Sequence, residues 1–455
     1  MPTAYTILFL LLILVAAATW IIPAGSYDYV DGVPVAGTYH TVEQNPQGVG
    51  DVLKAAFSGF YDAVDVCIFI LMVGGFLGVV MKTGAVDAGV GNVIRLLGGR
   101  EKWLIPILML LFGLGGTTYG MWEETMAFYP LLIPVFLAAG YDAVVGISVI
   151  LLGAGAGVIA STVNPFATGI AAGFAGVSLG EGIVLRLLEW VAFEAAAIWF
   201  VMAYAAKVKK NPSKSVVGVG AGKIQVSMDQ QVPFTAKRKV IMALFTLTFL
   251  IMVYAVVPFD EMGLSLPALG WWFPELSALF LVAGVVIGLI DRMSEEELVE
   301  IYVAGCADLL GVAFIIGISR GITVLMNDGA ITDTVLHWGE QALSGAGAIS
   351  FTLLVFALYL PLTILIPSSS GLATLSIPIV APLGKFAGVG GDLVVTAFQS
   401  ASGLVNIITP TAAVVMGALA LGHVPYDRWV KYVWKLILWF LLLALAFLVA
   451  GVLLG

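Results

Sequence analysis

The sequence predicts an all-α polytopic membrane protein, with about nine transmembrane helices plus two re-entrant hairpins in an inverted repeat. Three observations predict it. The 455 residues are 60% hydrophobic and 11% charged, with mean hydropathy +1.06, whereas a soluble domain carries about 25% charged residues. Apolar runs of the roughly 20 residues needed to cross hydrocarbon recur along the whole chain. A polar pattern also occurs twice inside those runs, about 245 residues apart.

The first copy reads GGTTYGMWEE (Gly115–Glu124), then ASTVNPF (Ala160–Phe166). The second reads IPSSSGLAT (Ile366–Thr374), then SASGLVNIITPT (Ser400–Thr411). Each is a hydroxyl-rich Gly/Pro turn followed by an Asn–Pro break in an apolar run. Hydrocarbon tolerates irregular backbone only where protein or a water-filled cavity covers it. Two breaks in corresponding halves are the sequence mark of a transporter binding site.

Taken in order, continuous spans are expected at 4–22, 64–82, 183–206, 238–257, 275–291, 309–327 and 431–454. The first run lacks a basic leader and a clean cleavage site, so it is expected to be retained as a span. Two further spans are interrupted: 143–177 near Asn164–Pro165, and 391–421 near Asn406–Pro410. The stretches 102–139 and 347–388 are each two apolar arms around a polar turn, Thr117–Gly120 and Pro367–Gly371. Arms shorter than a crossing make both re-entrant hairpins; the alternative is two short spans each. Amphipathic stretches at 49–62, 86–98, 294–307 and 331–343 are expected along the interface or as links.

The halves are related. Thr83-Gly84-Ala85-Val86-Asp87 matches Asp328-Gly329-Ala330-Ile331-Thr332; Pro130 and Pro134 match Pro378 and Pro382; Asn164 matches Asn406. Residues 1–206 form repeat 1, 207–274 a cytoplasmic linker with an extra span, and 275–455 repeat 2. Four crossings plus the extra one make an odd number, so the second repeat is inverted. With the N-terminus cytoplasmic, 16 of the 20 Lys and Arg fall inside, among them Lys82, Arg95, Lys207, Lys214, Lys223, Arg292, Arg428, Lys431 and Lys435. Lys54, Arg186 and Lys385 fall outside, Arg320 falls in a span, and the C-terminus is external. This obeys the positive-inside rule and fits a cell inner membrane. The 23–63 loop, with Asp28, Asp31, Glu43 and Asp51, is then external.

Composition also narrows function. The net charge of −9 lies mostly in loops and argues against nucleic acid as a partner. Cys67 and Cys306 read as small packing residues. His40, His337 and His423 are not spaced as metal ligands, and no metal beyond a sodium ion is expected. Trp20, Trp103, Trp271, Trp272, Trp429 and Trp434 read as an aromatic belt. Walker, Rossmann and triad patterns are lacking, so neither an enzyme nor a cofactor is expected.

Ionisable groups at membrane depth are unfavourable by roughly 2.5–3.5 kcal/mol each on insertion scales. Glu123 and Glu124 past the first turn, Glu194 in 183–206 and Arg320 in 309–327 stand out. Two adjacent carboxylates call for a cation: a cationic substrate group, a coupling proton or Arg320. Arg320 could instead hold a substrate carboxylate; Glu194 reads as structural. Substrate contacts are expected from Glu123, Glu124, Thr117, Thr118, Asn164, Arg320, Ser368, Ser369, Ser370, Asn406 and Thr409. Hydroxyl and amide oxygens of Thr118, Ser161, Thr162, Asn164, Ser370, Ser400, Ser402 and Asn406 suit a coupling ion, sodium if not a proton.

The segments GMWEETMAFYPLLIPV, GISRGITVLMNDGAITDTVLHWG, YLPLTILIPSSSGLATLSIPIVAPL and QSASGLVNIITPTAAVVMGAL resemble the anaerobic C4-dicarboxylate carrier family, in its basic amino acid antiporter branch, within the ion transporter superfamily. The resemblance covers nearly the whole chain. It implies opposed hairpins, a scaffold that dimerises, here expected to draw on 4–22, 183–206, 238–257 and 275–291, and an elevator-type transport domain. Related sodium symporters carry Ser-Asn-Thr motifs at the tips and breaks. Here those positions read Gly116-Thr117-Thr118, Ser161-Thr162-Val163-Asn164, Ser368-Ser369-Ser370 and Ser402-Gly403-Leu404-Val405-Asn406, none a literal match. The Glu pair departs from a pure dianion site and favours a substrate with a positive group. The expected function is secondary transport of small amino-acid-like solutes, by basic amino acid exchange or by sodium or proton coupling. A C4-dicarboxylate or short-chain carboxylate carrier is the alternative, and a channel a more distant one.

Overall fold

A computed structural model describes residues 4–30, 33–86, 88–89, 100–118, 120–178, 180–218, 233–256, 266–271 and 273–454. The expected 86–98 stretch falls almost entirely outside them, as do Asp31, Asp87, Arg95, Lys223 and Trp272. The chain is mostly helical. α1 (Ala4–Ala18), α2 (Val49–Asp62) and α3 (Val64–Lys82) precede the first helical hairpin, α4 (Leu104–Thr118) and α5 (Tyr129–Ala138). The first interrupted segment is α6 (Ala143–Ile159), a π turn at Pro165–Gly169 and α7 (Ile170–Ala175). Then come α8 (Ile183–Lys210), α9 (Ala236–Val256), α10 (Phe273–Asp291), α11 (Glu295–Asp328) and α12 (Thr332–Leu343). The second hairpin is α13 (Ala348–Leu365) and α14 (Ser369–Ala387); the second interrupted segment is α15 (Gly391–Asn406) and α16 (Ala413–Leu421), and α17 (Tyr426–Leu454) ends the fold.

Among the described residues, six helices are long and apolar enough to cross a membrane: α3, α10, α11, α13, α14 and α17. Two expectations change here. The 294–307 stretch is not a separate interfacial helix, because α11 runs unbroken through it for 34 residues. Ser294 caps its start, accepting from the Glu297 N–H at 3.2 Å, and Glu295, Glu296 and Glu297 complement its dipole. The second hairpin's arms hold 18 and 19 residues, not the short arms expected, whereas the first hairpin's hold 15 and 10.

The helices pack in two groups. α1, α2 and α3 gather on α11, with α10 packed on α3 and α9 beside α10. α4, α5, α8 and α15 surround α6, while α13, α14 and α17 pack on α15. Of the four segments expected together in a scaffold, 183–206 does not group with the other three, since α8 packs on α4, α6 and α17. Its polar stripe explains this: Arg186, Glu189 and Glu194, only 1%, 0% and 2% exposed, face inward to that group. The groups meet where α11 touches α16 and where the Phe128 and Phe249 rings pack 4.8 Å apart. Two short ribbons, β1 (Gly25–Ser26) with β4 (His40–Thr41) and β2 (Tyr29–Val30) with β3 (Val33–Pro34), cap one end. They are pinned to α12 by Tyr27 donating to Glu340 at 2.8 Å and by Tyr39 stacking on His337.

Close approach in the first group depends on glycine. α3 and α11 run antiparallel: Gly74 faces Gly305, and Cys67 on one side donates its Sγ–H to the Ala313 carbonyl at 3.5 Å. A Cβ on Gly74 would lie 2.5 Å from the Gly305 carbonyl oxygen. Such backbone proximity is how helices associate where lipid supplies no hydrophobic drive.

The second group places the breaks. α4 runs parallel to α6, with Gly153 backing on Met109 and Gly157 on Gly113. α13 likewise lies along α15, with Tyr359 and Phe398 ring to ring at 4.9 Å. α6 and α15 meet antiparallel: Gly155 backs on Ile407, Gly403 on Ile159, and Gln399 donates to the Ser161 carbonyl at 2.9 Å. The irregular turn after α6 is sewn to the first hairpin tip. Thr162 donates its N–H (2.9 Å) and hydroxyl (2.9 Å) to the Thr117 carbonyl, and Thr117 donates its hydroxyl to the Ala160 carbonyl at 2.8 Å. Backbone groups that hydrocarbon would strand are satisfied this way. Gly120, at φ +80°, sits against Asn164, where a Cβ would lie 2.5 Å from the amide nitrogen.

Gly74→Val is expected to destabilise the protein by about 1–3 kcal/mol through overpacking, read as a lowered thermal midpoint in detergent. Gly173→Ala, with open space around the new methyl, should leave it unchanged. Gly120→Ala should destabilise by a similar ~1–3 kcal/mol, and pairing it with Asn164→Ala should give less than the sum. Additive losses would mean that the tip does not rest on Asn164.

Candidate functional site

Three of the expected site residues, from three separate elements, line one small cavity. Glu123 comes from the 3₁₀ turn Glu123–Phe128 after the first tip, Arg320 from the middle of α11 and Asn406 from the last turn of α15. Trp122, Ser319, Pro367 and Thr411 complete its polar and tip-side wall, and its volume is about 30 Å³. That is the room of roughly one water molecule. The wall thus unites the first tip, the second tip at Pro367, the second break and α11.

The break itself is held by its own hydroxyls. Thr409 and Thr411 share a hydrogen bond of 2.9 Å, and Ser319 of α11 donates to the Thr411 carbonyl. Tyr426 donates to the Ile408 carbonyl at 2.8 Å and Trp429 to the Ile407 carbonyl at 3.1 Å. Trp429 is fully buried, so it is a clamp on the break and not part of an aromatic belt. Trp20, Trp103 and Trp434 are exposed, as a belt requires.

The glutamates divide. Glu123 faces the cavity. Glu124 is buried and turns back, its Oε2 accepting from the Trp122 N–H at 3.1 Å. Arg320 does not pair with either glutamate; its ion-pair partner among the described residues is Asp62 at the end of α2, at 3.8 Å. A contact that long between partly exposed groups is weak, and the guanidinium retains most of its donors for the cavity.

The remaining expected residues do varied work. Thr117 and Thr162 are committed to the tip–break seam. Thr118 back-bonds to the Leu114 carbonyl at 2.6 Å, and Asn164 caps the π turn by accepting from the Ala167 N–H at 3.3 Å. Ser368 is the N-cap of α14, accepting from Gly371 at 3.3 Å; Ser369 opens the helix, and Ser370 lies 3.5 Å from the Ser368 hydroxyl. Ser400 donates to Glu189 at 2.9 Å. Ser161 Oγ, Ser402 Oγ, Asn406 Oδ1 and the other Glu189 oxygen are buried with no hydrogen-bond partner among the described residues. These unsatisfied oxygens lie on the two broken segments and on α8 beside them.

Sequence reasoning missed Glu189, Gln399 and Thr168. Gln399 bridges the two broken segments, donating to the Ser161 carbonyl and accepting from the Thr168 hydroxyl at 2.5 Å. Arg186, expected in an external segment, is buried in α8 one turn from Glu189. The Arg–x–x–Glu spacing in an apolar run was the available signal, since i and i+3 share a helix face.

Beside the small cavity lies a vestibule of about 1240 Å³ between α1, α3 and α11 on one side and α16 and the start of α17 on the other. The same two helices line both: Val312 and Ile315 of α11 and Met416 of α16 face the vestibule, while Ile316, Ser319 and Val414 face the cavity. Met81, Asp308, His423 and Arg428 are among its lining residues.

The family model of DcuC, described as C4-dicarboxylate anaerobic carrier, matches residues 1–453. A Haemophilus influenzae (strain ATCC 51907 / DSM 11121 / KW20 / Rd) protein described as "Uncharacterized protein" is 35% identical over 503 residues, covering 99% of this chain and 97% of its own length. The Escherichia coli (strain K12) protein described as "Putative basic amino acid antiporter YfcC" is 31% identical over 480 residues, with 95% and 92% covered. Among solved structures, Neisseria gonorrhoeae MtrF, described with a class of antimetabolite efflux pumps, aligns at TM-score 0.44 and 17% identity over 98% of this chain and 94% of its own. The Alcanivorax borkumensis YdaH transporter aligns at 0.43 and 14%, with 98% of each chain covered. The chain belongs to the C4-dicarboxylate anaerobic carrier family and is a multi-pass membrane transporter.

Proposed function

We propose that the protein is a secondary active transporter of small amino-acid-like solutes, with basic amino acids preferred, working by exchange or with sodium or proton coupling. One observation carries the reading: Glu123 and Arg320 line the same cavity without forming an ion pair with each other. A carboxylate and a guanidinium held apart in a confined space offer one partner to a substrate cation and one to its α-carboxylate. The description of the Escherichia coli relative agrees with this choice. A C4-dicarboxylate is the second reading, favoured by the family description; it would engage Arg320 and the α16 N-terminus and leave Glu123 to a proton.

A solute cannot fit a space of about 30 Å³, so binding requires the first tip to part from α11. The vestibule is the proposed route, and the side on which Arg428 lines it is the proposed cytoplasmic side of an inner membrane, with the C-terminus outside. In this reading the two hairpins are re-entrant from opposite faces, supported by the parallel α4–α6 and α13–α15 pairs and the antiparallel α6–α15 crossing. The α4–α8 and α13–α17 group slides against the α11 group, elevator-fashion, with α11 and α16 as the sliding surfaces; the sequence count of about nine crossings and the dimer belong to the same proposal. The unsatisfied oxygens of Ser161, Ser402 and Asn406 are the proposed ligands of a coupling ion.

The test is counterflow in proteoliposomes of labelled arginine, ornithine and succinate, with imposed sodium or proton gradients. Arginine or ornithine exchange is expected; succinate uptake without it would move the assignment to the second reading, and non-saturable flux would indicate a channel. Glu123→Gln should weaken arginine recognition by roughly 10–100-fold, the worth of one charge-assisted hydrogen bond. Arg320→Gln should abolish preference for arginine over its decarboxylated analogue agmatine. Unchanged kinetics in Glu123→Gln would remove that residue from the site.

A further inference from the structure

A third cavity, of about 430 Å³ and sharing no lining residue with the other two, lies in the groove between α8 and α17. One end is basic: Lys207 and Lys214 stand on one bank, Lys431 and Lys435 on the other. The rest is apolar and aromatic, with Ala196 and Leu436 beside Trp199 and Trp439, whose rings stack at 5.6 Å and 20°. All four lysines are exposed, as are both indoles, at 61% and 55%.

The charge on this patch is not internally balanced. Among the described residues, Lys207 and Lys214 have no carboxylate within 4.0 Å. Lys435 stands 5.6 Å over the Trp434 ring, and Lys431 makes a 3.9 Å contact with Asp427, which Arg428 shares at 3.7 Å. Asp142 accepts instead from the hydroxyls of Tyr204 and Ser215, both at 2.6 Å, and from the Val145 N–H at 3.0 Å, and has no ammonium group of these lysines within 4.0 Å. Four ammonium groups at the mouth of an apolar, indole-lined groove between lipid-facing helices match an amphiphile with an anionic head.

We propose that this groove binds an anionic phospholipid, its phosphates among Lys207, Lys214, Lys431 and Lys435 and an acyl chain along Trp199, Leu436 and Trp439. Two lysines on each bank suit a headgroup with two phosphates. Basic clefts between spanning helices attract such heads, and the indole pair supplies the interfacial seat. A free phosphate would use the basic end and leave the apolar groove without a partner. The proposal is independent of which solute is transported.

The probe is cardiolipin added to the purified full-length protein in detergent, with phosphatidylethanolamine and inorganic pyrophosphate as parallel arms. Native mass spectrometry should show a retained cardiolipin adduct, and cardiolipin should raise the thermal midpoint. The combined Lys431→Gln and Lys435→Gln variant, which alters exposed side chains only, should lose roughly tenfold or more of that retention; Lys54→Gln with Lys82→Gln should lose none. Equal retention by the groove variant overturns the proposal, as does equal stabilisation by phosphatidylethanolamine. Protection by pyrophosphate alone overturns it in favour of a soluble anion. Trp439→Ala gives a second reading: it should weaken cardiolipin retention while leaving any pyrophosphate effect intact.

Discussion

The fold depends on satisfying the irregular backbone of two broken helices at the point where they cross. Each break exposes carbonyls and N–H groups that hydrocarbon cannot solvate, at about 1–3 kcal/mol for each group left unpaired. Here each break borrows partners from elsewhere in the chain. Thr162 and Thr117 join the first break to its hairpin tip, Gln399 of α15 holds the Ser161 carbonyl of the first broken segment, and Trp429 and Tyr426 hold the second break from α17. The hairpins, α8 and α17 are placed by these bonds as much as by apolar packing, which has no directional preference.

The two packing groups follow from different devices. The α3–α11 seam is drawn close by glycines, with Tyr302 and Leu309 seated against Gly75 and Gly74. The other group is tied by polar bonds between segments more than 200 residues apart, such as Gln399 with Ser161 and Ser400 with Glu189. Where the groups face each other, the contact is sparse and partly apolar, through Phe128, Phe249 and the α11–α16 edge. The candidate site sits on that boundary, so its walls belong to both groups.

Much of this was legible in the sequence. Span limits such as 64–82, the hairpin turns and both Asn–Pro breaks are local signals of apolar run length and helix-breaking residues, and they fall where the helices end. Glu123, Arg320 and Asn406 stood out in the sequence as polar groups at membrane depth or at a helix break, but that they line one cavity is a tertiary fact. What could not be read were partners set by tertiary contact. Asp62 lies at the end of an amphipathic helix and nothing local ties it to Arg320. Glu189 and Arg186 were hidden because a charged residue near a span's end reads as interfacial until its neighbours are known. Trp429 sits at a predicted interface in sequence yet is buried in space.

The start of α17 serves two places at once. Tyr426 and Trp429 hold the carbonyls of the second break, while Tyr426, Asp427 and Arg428 line the vestibule mouth. The shape of the mouth and the conformation of the break are therefore one mechanical variable, and linkage makes their coupling reciprocal. A molecule wedged against Tyr426 would strain its bond to the Ile408 carbonyl, so the break can be reached from the vestibule without entry into the small cavity.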